Sequence, residues 1–433
     1  MACGQRRSTF AGLVLALLLP LGPAQAADRA DKPRPGRYKL GPLYLTPRLE
    51  LKNAGVDTNV FNRQSGAIPD TQIVLSPGVQ AALPIGRRLR FSGQGYLDLN
   101  YFRRQGSERS TDRAGDGRAE FDLGPLTFFG AGGGGQYKQR FSLDIDERLL
   151  RQERWAQVGT RAKLGRRLSL TGTGTSRVYR FGTSLIRGTE AREALDRNTL
   201  SASLEGRLAL TNLTTLLVSA EGIEDRFLSA GLSSKPDVAS GGAFGAAASP
   251  SRRVQSFRYL GGFEFGQRAF MSGKVLAGYR EFPGTEGQAA PAYRGPALSI
   301  GATLPVLRLG RLAVSAERDV NFAVTTRSGR EERLRNTFVS SRYAGHFSFQ
   351  LPLDLTGRAS AGYEQLRYVF PDLLASGYVR RVDNLYTVGG SLLRRLGDSV
   401  RLGGAVAWVR RVSTVEGGSY EGLRYGLQAE VIP

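Results

Sequence analysis

The sequence predicts an all-β fold: a transmembrane antiparallel up-and-down β-barrel of about 18 strands (16–18), with short periplasmic turns and long extracellular loops. Three observations predict it. Apolar and polar residues alternate with period two over many segments. Very short turns recur between these segments, and longer polar stretches fill the remaining connections.

The alternation is clearest where Leu89, Phe91, Gly93, Gly95, Leu97, Leu99 and Tyr101 interleave with Arg88, Arg90, Ser92, Gln94, Asp98 and Asn100. It returns where Leu200, Ala202, Leu204, Gly206, Leu208 and Leu210 alternate with Thr199, Ser201, Ser203, Glu205 and Arg207. Near the end, Leu423, Tyr425, Leu427, Ala429 and Val431 share one face, and Arg424, Gln428 and Glu430 the other. No window of comparable length shows a helical period. The turns are Pro84-Ile85-Gly86, Gly124-Pro125, Gly165-Arg166, Thr211-Asn212, Gly266-Gln267, Arg308-Leu309-Gly310, Leu351-Pro352-Leu353 and Gly397-Asp398-Ser399. Each interval between turns holds two strand patterns and a longer polar loop, so the hairpin is the repeating unit. The loops are Arg104 to Asp112, Phe141 to Leu149, Gly182 to Asp196, Pro283 to Tyr293, Arg327 to Arg335 and, longest, Leu228 to Arg253, a candidate plug. In hydrocarbon every backbone N–H and C=O needs a partner within the protein, so a sheet of such strands must close. With one parity toward lipid, the other faces a lumen wide enough for water at this strand number.

Residues 1–26 read as a cleaved signal peptide: Arg6 and Arg7 are its basic start, Ala11 to Leu21 its apolar stretch, and Ala24-Gln25-Ala26 its cleavage site. Residues 27–40 are charged and Pro-rich, which predicts a flexible periplasmic segment, and residues 41–433 make the barrel. The only cysteine, Cys3, falls within the signal, so disulfide and thiolate chemistry are excluded. No later stretch is long and apolar enough for a spanning helix. Formal net charge is +22, of which Arg6 and Arg7 account for two, leaving +20 on the barrel-bearing part. Such an excess attracts anions, and export argues against nucleic acid as the natural one.

The run Gly130 to Gly135 carries the Gly-x-Gly-x-x-Gly spacing of a dinucleotide site. No helical pattern follows it, so the expectation is a strand thin on side chains. His346, the only histidine, shares its parity with Ser340 and Ser348. A hydrolase would need a completed triad, and the plainer expectation is a lone lumen-facing polar residue. Carboxylates are scattered, so no metal and no cofactor are expected. Arg48, Arg90, Arg118, Arg161, Arg167, Arg207, Arg258, Arg342, Arg358 and Arg424 fall on the polar parity. A midplane arginine on the lipid face costs about 2–4 kcal/mol, so these are the lumen-lining candidates. The acids sharing that parity are Glu50, Glu120, Asp122, Glu205, Glu264, Glu317, Asp319, Glu364 and Glu430. A salt-bridge lattice uses most of both sets, and the surplus of bases leaves a wall that favours anionic solutes. Tyr101, Phe102, Tyr179, Phe181, Phe282, Phe370 and Trp408 are expected in interfacial girdles.

Gly41-Pro42-Leu43-Tyr44-Leu45-Thr46-Pro47 and Gly55-Val56-Asp57-Thr58-Asn59-Val60-Phe61, with the later Gly278-Tyr279-Arg280 and Gly362-Tyr363-Glu364, resemble the outer-membrane β-barrel porins encoded with bacterial exopolysaccharide and capsule synthesis machinery. Unlike many outer-membrane barrels, the sequence ends Val431-Ile432-Pro433, without a terminal aromatic. The resemblance implies a non-enzymatic component of exopolysaccharide or capsule export in the bacterial outer membrane. Its implied partners are outer-membrane lipid, acidic polysaccharide and polysaccharide-export proteins. The alternatives are a general anion-preferring porin or an outer-membrane hydrolase using His346.

Overall fold

The computed structural model describes residues 38–432 except 141–146, 187–188, 229–252, 267–268, 284–291, 307–309, 324–335, 370–371 and 375–376. Eighteen long strands form one antiparallel sheet: β1 (Leu43–Asp57), β2 (Asp70–Ile85), β3 (Leu89–Phe102), β4 (Ser110–Asp122), β5 (Leu126–Arg140) and β6 (Arg148–Leu164) open it. Then come β7 (Leu168–Phe181), β8 (Arg197–Ala209), β9 (Thr214–Phe227), β10 (Arg253–Phe265), β11 (Ser272–Phe282) and β12 (Tyr293–Val306). The last six are β13 (Gly310–Ala323), β14 (Asn336–Leu351), β15 (Leu355–Tyr368), β16 (Val382–Leu396), β17 (Val400–Ser413) and β18 (Tyr420–Val431). Each strand pairs with its sequence neighbours, and β1 pairs with β18, so no edge is left open.

Six of the expected turns connect the strand pairs anticipated from the sequence, while those at Gly266-Gln267 and Arg308-Leu309-Gly310 lie partly outside the described residues. Gly86, Gly124, Gly165 and Gly397 take φ of +63°, +86°, +74° and +66° there, a region that side chains disfavour and tight hairpins need. The expected flexible segment ends earlier than predicted. Tyr38–Leu40 pairs with Leu43–Leu45 about a turn at Gly41 (φ +60°), while residues 1–37 lie outside the described set. Of the candidate plug, residues 229–252 lie outside it as well.

The barrel is apolar outside. Val158, Leu200, Leu204, Val218 and Leu427 expose more than half their surface outward, which no water-soluble shell would tolerate around its whole girth. The glycine run is part of β5, paired on both sides, and the strand continues past it to Arg140. Its inward Gly135 lies under the Tyr137 hydroxyl, where a Cβ would collide, so the aromatic side chain occupies the space the glycine vacates.

Closure rests on the Asp57–Phe61 motif. Asp57 accepts from Arg424 Nε (2.7 Å) and from the Asn59 amide (3.0 Å). Asn59 Nδ2 donates to the Glu421 carbonyl (2.9 Å), and Thr58 exchanges bonds with Leu423 (3.0 and 2.8 Å). A bulge between Leu51 and Ala54 shifts the register of β1, which turns Lys52 inward and places Asp57 on the lumen parity.

Candidate functional site: the lumen wall

Lumen parity is fixed by ion pairs on the inner face, some within a strand and some across strands. At least six of the ten arginine candidates lie in such pairs among the described residues. Arg48 meets Glu50 (3.4 Å), Arg118 meets Glu120 (2.8 Å), and Arg207 meets Glu205 and Glu264 (2.5 and 3.3 Å). Arg258 joins Glu221 (2.7 Å) and Asp319 (3.5 Å), Arg342 joins Glu364 (2.8 Å) and Glu317 (3.8 Å), and Arg424 joins Asp57. Arg161 shares their parity on β6. Arg167 does not belong to the wall: it sits exposed in the turn between β6 and β7, because β7 begins one residue later than its alternation suggests.

Arg90 and Arg358 face the lumen without an ion pair among the described residues. Arg90 lies opposite Glu120, which Arg118 already holds. Lys163 and Arg311, which sequence reasoning passed over, have the same inward parity and likewise lack a carboxylate. All four lie close to the short turns. Arg311 and Arg358 flank Ser348 directly in register, two strand spacings or about 10 Å apart. The turn-side end of the lumen therefore carries positive charge that the wall does not cancel.

The loop-side end is built differently. Asp383, with no exposed side-chain surface, binds Arg381 (2.9 Å) and Arg411 (3.1 Å). Asp319 binds Arg280 (2.8 Å) two strands away, and Glu153 meets Arg177 at 3.3 Å. Along β3, β6, β7, β9, β10 and β11 the last inward residue is apolar: Phe102, Leu149, Phe181, Phe227, Val254 and Phe282 are all buried. Most of them join one cluster with Ala191 and Leu195 of the short helix α1 (Ala191–Leu195) in the connection from β7 to β8. Asp196 ties that connection down by accepting from the Phe181 amide at 2.6 Å, and burial pushes its carboxyl above the usual range.

This corrects the girdle assignment. Tyr101 and Trp408 do face outward, but Phe102, Phe181 and Phe282 are buried with the inner collar and Tyr179 stacks with Arg197 at 4.5 Å; Phe370 lies outside the described residues. Their parity already matched the inward Asp98 and Asn100 of β3, or the inward Arg280 of β11, and that signal was available in the sequence. His346 faces the lumen between Ala313 and Ser360, and no acid stands opposite it in register. Among the described residues no group of three or more His, Cys, Asp or Glu could hold a metal ion.

A closed 18-strand sheet with an apolar exterior, short turns at one end and long connections at the other satisfies the demands of a bilayer. The chain is an outer-membrane β-barrel. No family model and no curated protein matches it. Among solved structures it is similar to the siderophore receptor PirA from Acinetobacter baumannii (10% identity, 89% of this chain and 80% of that one, TM-score 0.45). It is also similar to a variant of the ferric enterobactin receptor PfeA from Pseudomonas aeruginosa (11% identity, 89% and 80%, TM-score 0.44). A bacterial polysaccharide outer membrane secretin matches at 9% identity over 90% of this chain and 98% of that one, with a TM-score of 0.32. Likenesses this distant identify no function.

Proposed function

We propose that the barrel is a non-enzymatic, porin-like component of exopolysaccharide or capsule export, whose lumen favours acidic polymer. The observation that carries this reading is the uncancelled charge of Arg90, Lys163, Arg311 and Arg358 at the turn-side end. Short turns of outer-membrane barrels face the periplasm, so a polyanion leaving the cell meets these cations first. A uronate-bearing chain offers a carboxylate every sugar or two, at a spacing comparable to the roughly 10 Å between Arg311 and Arg358. The paired charges farther up keep the wall hydrated without holding the polymer, and the apolar collar restricts passage at the loop side.

The test uses cells that make an acidic surface polysaccharide and carry the parent barrel, no barrel, or a barrel with Arg90, Lys163, Arg311 and Arg358 replaced by Gln. Surface polymer should fall without the barrel and fall in part with the substituted one. Polymer unchanged in the deletion strain would remove the export reading and leave a general anion-preferring porin, for which the same cations suffice.

A further inference from the structure

The outer surface of β3 to β7 carries charge of one sign. Arg103, Arg109, Arg113, Lys138, Arg154 and Arg180 occupy the outward parity at or just beyond the loop-side ends of these strands. Among the described residues, no Asp or Glu of these strands shares that parity: Asp98, Asp112, Asp116, Glu120 and Glu153 all alternate with it and face inward. Another arc of the same rim is arranged differently. On β9 to β12, Arg226 and Arg253 share Glu224, and Arg294 binds Glu281 at 2.6 Å.

Among the described residues the individual contacts leave the first arc without a close carboxylate partner, the nearest being Asp196 at 3.9 Å from Arg180. Arg113 donates only to the Gln136 amide oxygen (3.1 Å), and Lys138 donates to the Ser107 carbonyl. Arg154 lays its stem over Gly134, an outward glycine that leaves room for it, and meets no carboxylate. Arg180 comes no nearer to Asp196 than 3.9 Å and keeps 44% of its side chain exposed.

Height on the barrel identifies the kind of anion that fits. Arg113, Lys138, Arg154 and Arg180 lie nine to twelve residues along their strands from the turn-side ends at Asp122, Leu126, Leu164 and Leu168. At about 3.4 Å per residue and a tilt near 40° this is roughly 23–31 Å, at or just past the edge of an apolar band of about 25 Å. Outward groups at that level face lipid headgroups. Phosphate suits arginine, whose planar fork binds it through two parallel bonds. A second copy of the chain suits the arc poorly, since a two-fold contact would set like charges against each other.

We propose that the outward face of β3 to β7 is a binding site for the phosphorylated headgroup of an outer-leaflet lipid. It would anchor the barrel's orientation and recruit a lipid shell on one side.

The experiment uses the detergent-solubilised, folded full chain and measures its binding of diphosphorylated lipid A, with dephosphorylated lipid A and inorganic phosphate as the other arms. The parent should prefer the diphosphorylated lipid. The Arg113→Gln, Lys138→Gln, Arg154→Gln triple variant should bind it roughly a hundredfold more weakly, as three cations near an anionic surface are worth. The Arg226→Gln, Arg253→Gln, Arg294→Gln triple variant should bind like the parent. Equal binding of the dephosphorylated lipid, or equal losses in the two triple variants, would overturn the proposal. Displacement of the lipid by inorganic phosphate at matched concentration would also overturn it and reassign the arc to free phosphate. Should the first triple variant fail to show the heat-modifiable migration of a closed barrel, Arg154→Gln alone still decides, with a loss of roughly fivefold expected and no change contradicting.

Discussion

The two ends of the lumen spend their charged residues in opposite ways. At the loop-side end Asp383 and Asp319 are buried, each held by two arginines, and an apolar cluster lines part of the same rim. At the turn-side end Arg90, Lys163, Arg311 and Arg358 stand on the same parity without a carboxylate partner among the described residues. Buried charge must be paired because desolvation is expensive, so the loop-side lattice is a structural requirement. Charge kept near the mouth stays hydrated, costs little, and remains available to a solute. Charged side chains at one end thus stabilise the wall, and at the other they set what the lumen attracts.

The largest effect should come from breaking the buried end. Asp383→Ala removes the carboxylate that Arg381 and Arg411 hold together, and is expected to cost about 3–5 kcal/mol. A urea titration of the reconstituted barrel would show it as a lowered midpoint. Replacing Arg358 by Gln should change the unfolding free energy by no more than about 0.5 kcal/mol, because among the described residues it has no ion-pair partner to lose. A similar stability change in both variants would erase the contrast between the ends. The next effect is local. Leu195→Ala empties a fully buried position where α1 packs on the collar, at a cost of about 2–5 kcal/mol to that contact. It is expected to raise single-channel conductance without shifting selectivity, and an unchanged conductance would mean that the collar is not the constriction.

The fold was legible in the sequence to the level of its turns. Glycine at the hairpin tips and the period-two alternation on either side mark the described turns and the strand number, because both are local consequences of φ preference and of a two-faced wall. Most lumen arginines were legible for the same reason. Three features were not. The bulge at Lys52 reverses the parity of the end of β1, so Asp57 enters the lumen unannounced, and nothing near it in the sequence marks an inserted residue. Arg258 and Arg280 meet Asp319 across non-adjacent strands, a consequence of wall curvature that no single strand encodes. Phe102, Phe181 and Phe282 are buried on the inner face, as the parity of their strands indicates, against the general preference of aromatics for interfacial belts. The glycine run was correctly a strand, and its outward Gly134 now lies beneath Arg154 of the lipid-facing cationic arc.

The most direct test of the central claim is the reversal potential of the purified barrel in a planar bilayer under a potassium chloride gradient. It would be measured for the parent and for the variant in which Arg90, Lys163, Arg311 and Arg358 become Gln, each with and without Leu195→Ala to relax the collar. The turn-side cations predict anion preference in the parent and its loss in the variant, at unchanged folding stability. A cation-preferring parent, or an anion preference that survives all four substitutions, would contradict the account.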